Sequence, residues 1–153
     1  MLKRSAGILP YKIIDNKIYV FLAHPGGPLN NNDDWSVCKG EYQKNEKAIN
    51  AAIREFKEET SYKIDKEELT YLYTTKVNPR KLATIFILNK DLDTNIKSNS
   101  FTLKDHKKYP EMDKANWFEI DDAYNYIFKG QIKFLDKLKE YINESNNNIW
   151  YTW

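Results

Sequence analysis

The sequence predicts a single domain of the α/β class, with amphipathic helices packed on a β-sheet. Three observations indicate it: β-branched and aromatic runs open the chain, a segment near residue 50 has its apolar residues at helical spacing, and a second helical pattern follows Gly130. The chain has 153 residues, of which 41% are hydrophobic and 14% aromatic. That content supports one core, but not comfortably two.

The first two strands are predicted at residues 5–14 and 17–23. Asp15-Asn16 separates them and suits a tight hairpin turn. The following segment, HPGGPLNNNDD, is predicted to be a loop, because proline removes backbone donors and Gly, Asn and Asp favour turns. A short WSVC segment then leads to Lys39-Gly40.

Residues 46–60 are predicted to form an amphipathic helix. Its apolar positions fall at i, i+3, i+4 and i+7: Ile49, Ala52, Ile53 and Phe56. Glu55, Glu58 and Glu59 cluster on another side, about a third of a turn away, and are expected to line an edge that faces solvent or a cleft. Carboxylates at this spacing repel each other, so a cation is expected among them.

The second half is predicted to add strands at residues 68–76 and 82–88. The second is continuous enough to be buried on both faces, and the two are expected to form the middle of the sheet. No element is assigned in the polar stretch 89–108. WFEI then predicts a short strand, IDDAYNYIF a short helix with an acidic first turn, and the residues after Gly130 a last helix. The domain is placed at residues 1–145, with 146–153 as a frayed tail.

Charge and composition exclude several classes of function. The 24 Lys and Arg against 22 Asp and Glu leave a net charge of +2, so no strong nucleic-acid or membrane footprint is expected and any phosphate-binding surface must be local. No run approaches the roughly 20 apolar residues of a membrane span. The single Cys38 excludes an internal disulfide, and the first apolar run, broken by Pro10, is too short for a signal peptide. A soluble cytoplasmic protein is expected; the sequence leaves monomer and homodimer open.

One motif connects the predicted loop and helix. It runs Gly40, five residues, Glu46, seven residues, then Arg54-Glu55-Phe56-Lys57-Glu58-Glu59. This spacing resembles the Nudix box, G-x5-E-x7-R-E-U-x-E-E-x-G-U, in which U is a bulky apolar residue. The final G-U is Ser61-Tyr62 here. An ordinary solvated acidic helix, with pairs such as Arg54 and Glu58, would explain the helix but not Gly40 and Glu46 at their offsets.

The flanking sequence extends the resemblance. SAGILPYK, HPGGP, DDWSVCKGEY, YPEMDKANWFEI and GQIKFLDKL are similar to a bacterial Nudix subgroup of predicted NTP pyrophosphohydrolases. The resemblance implies an α/β/α sandwich with a mixed sheet, and Mg²⁺- or Mn²⁺-dependent hydrolysis of a nucleoside diphosphate linked to another moiety. The partner would be a small nucleotide: a dinucleoside polyphosphate, nucleoside triphosphate or nucleotide sugar. RNA 5′-end pyrophosphohydrolysis and nucleotide sensing without cleavage are the alternatives.

The resemblance also implies roles for individual residues. Glu55, Glu58 and Glu59 match the family's metal ligands, and the backbone carbonyl of Lys39 matches a further ligand. This assignment agrees with an independent argument, because Mg²⁺ prefers carboxylate ligands. Gly40 would let the backbone approach closely.

Arg54 and Glu46 are expected to act on the helix itself. Arg54 would orient a glutamate and Glu46 would anchor the start of the helix, although a plain structural salt bridge is an equally good interpretation of each. The general base is either a helix glutamate, Glu55 or Glu58, or Glu111 from a loop six residues before Trp117. A surface acid is an equally good interpretation of Glu111.

Candidate substrate contacts are less specific. Gly26 and Gly27 could approach a phosphate or sugar, or could belong to a plain connector. Five basic residues could contact a polyphosphate, and a role in solubility is an equally good interpretation of them: Lys39, Lys76, Arg80, Lys81 and Lys104. Trp35 is expected to be a buried aromatic rather than a base-stacking one, and His24 receives no catalytic role. A left-handed Ser61 would cost about 1 kcal/mol relative to glycine.

Overall fold

A mixed six-stranded sheet forms the centre of the molecule. The computed structural model describes residues 2–28, 30, 32–99, 101–104 and 107–151. The strands are β1 (Lys3–Ile14), β2 (Lys17–Pro25), β3 (Cys38–Glu41), β4 (Leu69–Asn78), β5 (Lys81–Asn89), β6 (Phe101–Lys104), β7 (Lys107–Pro110) and β8 (Met112–Glu119). The helices are α1 (Ala48–Thr60), α2 (Ile120–Ala123) and α3 (Ile132–Tyr151), with 3₁₀ turns at Lys66–Glu68 and Lys129–Gln131.

The predicted hairpin is confirmed. β1 and β2 pair antiparallel up to Ile14 and Lys17. Asp15 and Asn16 between them both have positive φ, at 52° and 63°. Two such residues define the primed turn whose twist matches that of the flanking strands, and Asp and Asn tolerate this conformation better than most side chains.

β1 organises the sheet because it has partners along both edges. The strand order is β4-β5-β1-β2-β8, and β3 also pairs with β1. β5 runs parallel to β1, whereas the other pairings are antiparallel. Along its second edge, residues 5–8 of β1 pair with β3 and residues 11–14 pair with β2. The strand therefore changes partner halfway, and the segment that leads into β3 is bridged to β2 through Ser36 and Ala23.

Helices cover both faces of the sheet, which confirms the α/β/α sandwich. In β5, Ile85 and Ile87 point into the core beside α3, whereas Phe86 and Leu88 point into the core beside α1. Phe56 anchors α1 and Leu135 anchors α3, both fully buried. Side chains of a strand alternate between its faces, so a continuous apolar run supplies both cores.

Three expectations about the elements need correction. The strand predicted at 68–76 forms β4, which lies at an edge of the sheet rather than in its middle; its side chain Tyr71 is 55% exposed. The polar stretch 89–108 contains β6 and the start of β7, which pair in a separate two-stranded sheet. The helix in IDDAYNYIF is only the four-residue α2, and a further turn precedes α3.

The C-terminal residues also differ from expectation. α3 continues to Tyr151, through residues for which the sequence showed no usable periodicity. Residues 152 and 153 lie outside the described residues, and the domain boundary at 145 stays a prediction. In the described part of the chain, none of the helices combines the length and the apolar character needed to cross a membrane. Cys38 is buried, and the cytoplasmic location stays a prediction.

α1 ends at a left-handed residue although the motif glycine is replaced by Ser61. Ser61 adopts φ 72° and ψ 3°, and its N–H donates to the carbonyl of Lys57 at 2.8 Å. Its hydroxyl donates to the carbonyl of Lys97, and the Asn99 amide donates to that hydroxyl at 3.2 Å. These hydrogen bonds offset part of the free-energy cost of the left-handed conformation, a cost that glycine would not have.

Replacing Asn16 tests the hairpin turn. We expect Asn16→Ala to lower the free energy of unfolding by about 1 kcal/mol, because alanine tolerates a positive φ poorly. Asn50→Ala is the matched control, since the exposed Asn50 lies within α1 and alanine favours helix there by a few tenths of a kcal/mol. Urea unfolding of both variants measures the difference; equal effects of the two would contradict the turn assignment.

Candidate active site

A cavity of about 1090 Å³ opens beside β3 and the end of β2. Its walls come from the ends of β2 and β4, the starts of β5 and β8, from β3, from the last turn of α1 and from the turn before α3. Six residues of the wall matter for its chemistry: Gly26, Lys39, Glu59, Lys81, Glu111 and Gln131. Five of these were predicted as site residues from widely separated parts of the sequence, and the fold brings them to one cavity.

The three helix glutamates do not share one environment. Glu59 is 2% exposed, whereas the side chains of Glu55 and Glu58 are 12% and 40% exposed. The expectation of one common helix edge is therefore corrected. Glu59 follows Ala52 by seven residues, which places the two about 20° apart around the helix, so Glu59 belongs to the buried side.

Glu59 is a buried acid without a full set of partners. Its carboxylate contacts the Cys38 thiol, but the Oε2 oxygen has no hydrogen-bond partner. Burial raises the pKa of Glu59 well above its usual value; the negative charges of Glu55 and then Glu111 raise it further, while the Cys38 thiol and the charge of Lys39 act in the opposite direction. An unpaired acceptor in this position costs free energy and marks a place for a missing cation or donor.

Glu55 occupies the space that Gly40 leaves open. A Cβ on Gly40 would lie 2.0 Å from the Glu55 carboxyl carbon, so any other residue would displace that carboxylate. The predicted close approach at Gly40 is thus made by a side chain. Burial raises the pKa of Glu55; the hydrogen bond from Arg54 opposes this, and the charges of Glu58 and Glu111 add to it.

Arg54 is the cation that the sequence requires among the glutamates. Its guanidinium donates to both oxygens of Glu46 at 2.8 and 2.9 Å, to Glu55 at 2.8 Å and to Glu58 at 3.3 Å, and also to the backbone carbonyl of Glu41 at 3.0 Å. The pairing raises the pKa of Arg54 and lowers that of Glu46. Arg54 therefore orients Glu55, and Glu46 ties the start of α1 to it.

Lysines also line the cavity. Burial lowers the pKa of Lys39, and the nearby charge of Lys81 lowers it further, so two cations face the cavity close together. The Gly26 N–H donates to the Glu111 carbonyl at 2.9 Å, which ties the end of β2 to the segment that carries Glu111. Gly27 has φ 86° and is not part of the cavity wall, so its conformation is explained by the turn. The Lys104 side chain lies outside the described part of the structure.

Two polar residues support the cavity and were not identified from the sequence. His24 lies between Asp33 and Asp113, with Nδ1 2.8 Å from Asp113, and its ring packs against Trp35. It connects the loop after β2 to β8. The buried Gln131 accepts from the Val37 N–H at 2.9 Å and donates to the Ser36 hydroxyl at 2.9 Å. No sequence pattern identified His24 or Gln131, because their hydrogen-bond partners are remote in sequence or lie in a loop. Trp35 is buried, as expected.

The donors available for a divalent ion are carboxylates. Among the described residues, no three His, Cys, Asp or Glu side chains stand together as a complete ligand set. The unpartnered oxygen of Glu59 and the raised pKa values of Glu55 and Glu59 nevertheless indicate a deficit of positive charge. Oxygen donors of this kind fit Mg²⁺ or Mn²⁺, which also take ligands from water and substrate phosphates. Glu58 pairs with Arg54, and neither Glu58 nor Glu55 belongs to the cavity wall.

Comparison with known proteins agrees with this architecture. The family model described as NUDIX domain matches residues 1–138. Among solved structures, a C. elegans Ap4A hydrolase in a binary complex is 23% identical, with 94% of this chain and 99% of that chain covered and a TM-score of 0.65. The NUDIX domain of Shewanella oneidensis NrtR, complexed with ADP ribose, is 11% identical over 93% and 89%, with a TM-score of 0.68. These likenesses show the fold. No curated protein matches the chain, and the bacterial subgroup stays a prediction.

Replacing Glu59 tests the uncompensated buried charge. A carboxyl whose pKa is raised by folding stabilises the protein below its unfolded pKa, and this contribution is lost as pH rises through the folded pKa. In metal-free buffer at pH 8, we therefore expect the free energy of unfolding of Glu59→Gln to be about 1–3 kcal/mol higher than that of wild type. The gain should shrink as pH falls toward 4.

Urea unfolding in the presence of a chelator, at several pH values, measures this effect. Glu58→Gln is the control, because Glu58 is exposed and paired with Arg54, so removal of its charge should give no gain. A Glu59→Gln protein that is less stable than wild type at pH 8 would contradict the assignment.

A double-mutant cycle tests the contact between Gly40 and Glu55. We expect Gly40→Ala to lower the free energy of unfolding by about 1–3 kcal/mol, because the added methyl group overlaps the Glu55 carboxylate. In a Glu55→Ala background the overlap is removed, so the same substitution should cost much less. Equal costs in both backgrounds would show that the backbone of β3, rather than Glu55, requires glycine.

Proposed function

Because this chain belongs to the Nudix family, we propose that it is a hydrolase of phosphoanhydride bonds that cleaves a nucleoside diphosphate linked to another moiety, with Mg²⁺ or Mn²⁺ as cofactor. The observation that carries this proposal is a single cavity whose wall contains the buried, partly unpartnered Glu59 and Glu111 together with Lys39 and Lys81. An acidic cluster beside basic residues suits a divalent ion together with a polyphosphate.

The acidic side supplies the proposed ligands. Glu55 and Glu59 would hold the ion with the backbone carbonyl of Lys39, and Glu58 is the further carboxylate that the motif predicts. When bound, such an ion neutralises diphosphate oxygens and lowers the pKa of a water molecule. Arg54 keeps Glu55 oriented, and Gly40 leaves room for its carboxylate. These residues position charge before the substrate arrives, which removes the cost of reorganisation during the reaction.

The basic side would bind the substrate. Lys39 and Lys81 are placed to contact the oxygens of the phosphate chain, and Gly26 is the member of the HPGGP loop that reaches the cavity. We assign Glu111 as the general base, since it lies on the cavity wall and its charge acts on both Glu55 and Glu59. It would accept the proton of the attacking water as oxygen bonds to phosphorus and the bond to the bridging oxygen breaks.

The proposed substrate is a nucleotide. Dinucleoside polyphosphates, nucleoside triphosphates and nucleotide sugars all contain the required linkage. The solved structures include one named as an Ap4A hydrolase and one complexed with ADP ribose, which supports a nucleotide ligand for this chain. RNA 5′ ends are a weaker candidate, because a net charge of +2 offers no broad basic surface.

A nucleotide panel tests the proposal. With Mg²⁺ or Mn²⁺ we expect turnover of at least one of these three classes. Chromatography of the products measures it. Glu59→Gln should lower kcat/KM by about 10³-fold, because it removes a charge that stabilises the transition state. The exposed Glu67→Gln removes an equal charge far from the cavity and should leave kcat/KM unchanged.

A second readout separates the enzyme from a nucleotide sensor. Mn²⁺ should raise the melting temperature of wild type, by an amount that corresponds to about 2.7 kcal/mol when the ion is at 100 times its Kd, and should not do so for Glu59→Gln. Tight nucleotide binding without turnover across the panel would identify a sensor. If the protein responds to neither metal nor nucleotide, the acidic helix has a purely structural role.

A further inference from the structure

A second pocket lies directly beside the active-site cavity. It has a volume of about 410 Å³ and is lined by Lys3, Asn78, Pro79, Arg80 and Lys81, a set that we call the outer pocket. Two of these residues, Asn78 and Lys81, also line the active-site cavity. The two spaces therefore share part of their wall, and the outer pocket adjoins the cavity at Lys81.

The turn between β4 and β5 builds the outer pocket. The Arg80 N–H donates to the Asn78 side-chain carbonyl at 2.9 Å, which shapes the turn. The Lys3 N–H donates to the Arg80 carbonyl at 2.9 Å, and Lys3 is in register with Lys81 across β1 and β5. Backbone hydrogen bonds thus hold three basic residues at one place, although they come from two distant parts of the chain.

The charges continue those of the active site. Lys39 lies beside Glu59 in the cavity, the charge of Lys81 acts on Lys39, and Lys81 in turn borders the outer pocket with Arg80 and Lys3. Within the described residues, no Asp or Glu belongs to the lining of the outer pocket. Glu41 is the adjacent acid, 3.7 Å from Lys3, and both side chains are more than half exposed. One acid does not balance three cations.

Such a pocket suits phosphate. Neighbouring cations repel one another, and a multiply charged anion placed among them removes that repulsion. Arginine can also present two parallel donors to a phosphate group, which a solvated lysine cannot do. Two phosphates at the scissile bond are sufficient for the carboxylates, Lys39 and Lys81. Further phosphates in the same chain would reach the outer pocket past Lys81.

We propose that the outer pocket is a subsite for phosphate groups beyond the scissile phosphoanhydride, so that the enzyme selects nucleotides whose phosphate chain has three or more members. The inference rests on the proposed function, and it narrows the substrate class. Compounds with two phosphates, such as nucleotide sugars, would leave the outer pocket without a ligand. Since Lys3 and Arg80 are exposed, their effect should weaken as salt concentration rises.

A series of diadenosine compounds with two, three, four and five phosphates tests the subsite, because its members differ in phosphate number alone. The readout is the ratio of kcat/KM for the tetraphosphate to kcat/KM for the diphosphate, measured with Mg²⁺ at low and at physiological salt. We expect wild type to favour the tetraphosphate at least several-fold. Lys3→Gln with Arg80→Gln should reduce this ratio by about fivefold to tenfold, since each exposed ion pair contributes up to about fivefold.

Two further variants sharpen the experiment. Arg80→Lys keeps the charge but loses the paired donors, so it should retain more of the ratio than the double variant and less than wild type. Lys66→Gln removes an equally exposed charge from the turn before β4, at the opposite end of the β4 and β5 ladder, and should leave the ratio unchanged. The loss in the double variant should also diminish at high salt, which a defect in folding would not do.

The outcomes distinguish this inference from the proposed function. Hydrolysis of nucleotides with an unaltered ratio in the double variant, or without preference for a longer chain in wild type, would overturn the subsite and leave the proposed function standing. Absence of hydrolysis across both this series and the nucleotide panel would overturn the proposed function itself. An equal fall in the ratio for Lys66→Gln would show that general surface charge, rather than the outer pocket, selects the chain length.

Discussion

Carboxylates crowded at the end of α1 are the constraint on which the site depends. Glu55 and Glu59 are held in a space where burial and mutual repulsion both disfavour their charged forms. Most proteins avoid such a cluster, because an unpaired buried charge costs several kcal/mol. The fold keeps it and even provides a glycine at residue 40 so that one carboxylate fits. The cost is understandable if a divalent ion completes the cluster during function.

Arg54 explains why the helix is stable without that ion. It neutralises the outer side of the cluster through Glu46, Glu55 and Glu58 and leaves the inner side, toward Glu59, open. The same network attaches the segment before the helix to the helix itself. Structural and functional interpretations of Arg54 therefore do not compete, since holding Glu55 in place serves both stability and the arrangement of ligands.

The change of partner along β1 explains where the cavity lies. β1 pairs first with β3 and then with β2, and the ends of several strands line a common space beside this change of partner. Lys39, Glu111 and Lys81 come from three of those strands or their ends, and α1 supplies Glu59 from below. Positive residues continue outward along the turn between β4 and β5, so the geometry that opens the cavity also determines the direction in which a phosphate chain can extend.

The sequence by itself determined the elements that depend on local order. The hairpin at Asp15-Asn16 and the helix with its motif glutamates follow from neighbours in the chain, where turn chemistry and helical spacing act directly. Only the tertiary structure decided that β4 is an edge strand, that residues 89–108 contain paired strands, and that Glu59 is buried while Glu58 is exposed. It also decided the partners of His24 and Gln131 and the grouping of Lys3 with Arg80. These features depend on strand order and on contacts between distant residues, for which local periodicity has no signal.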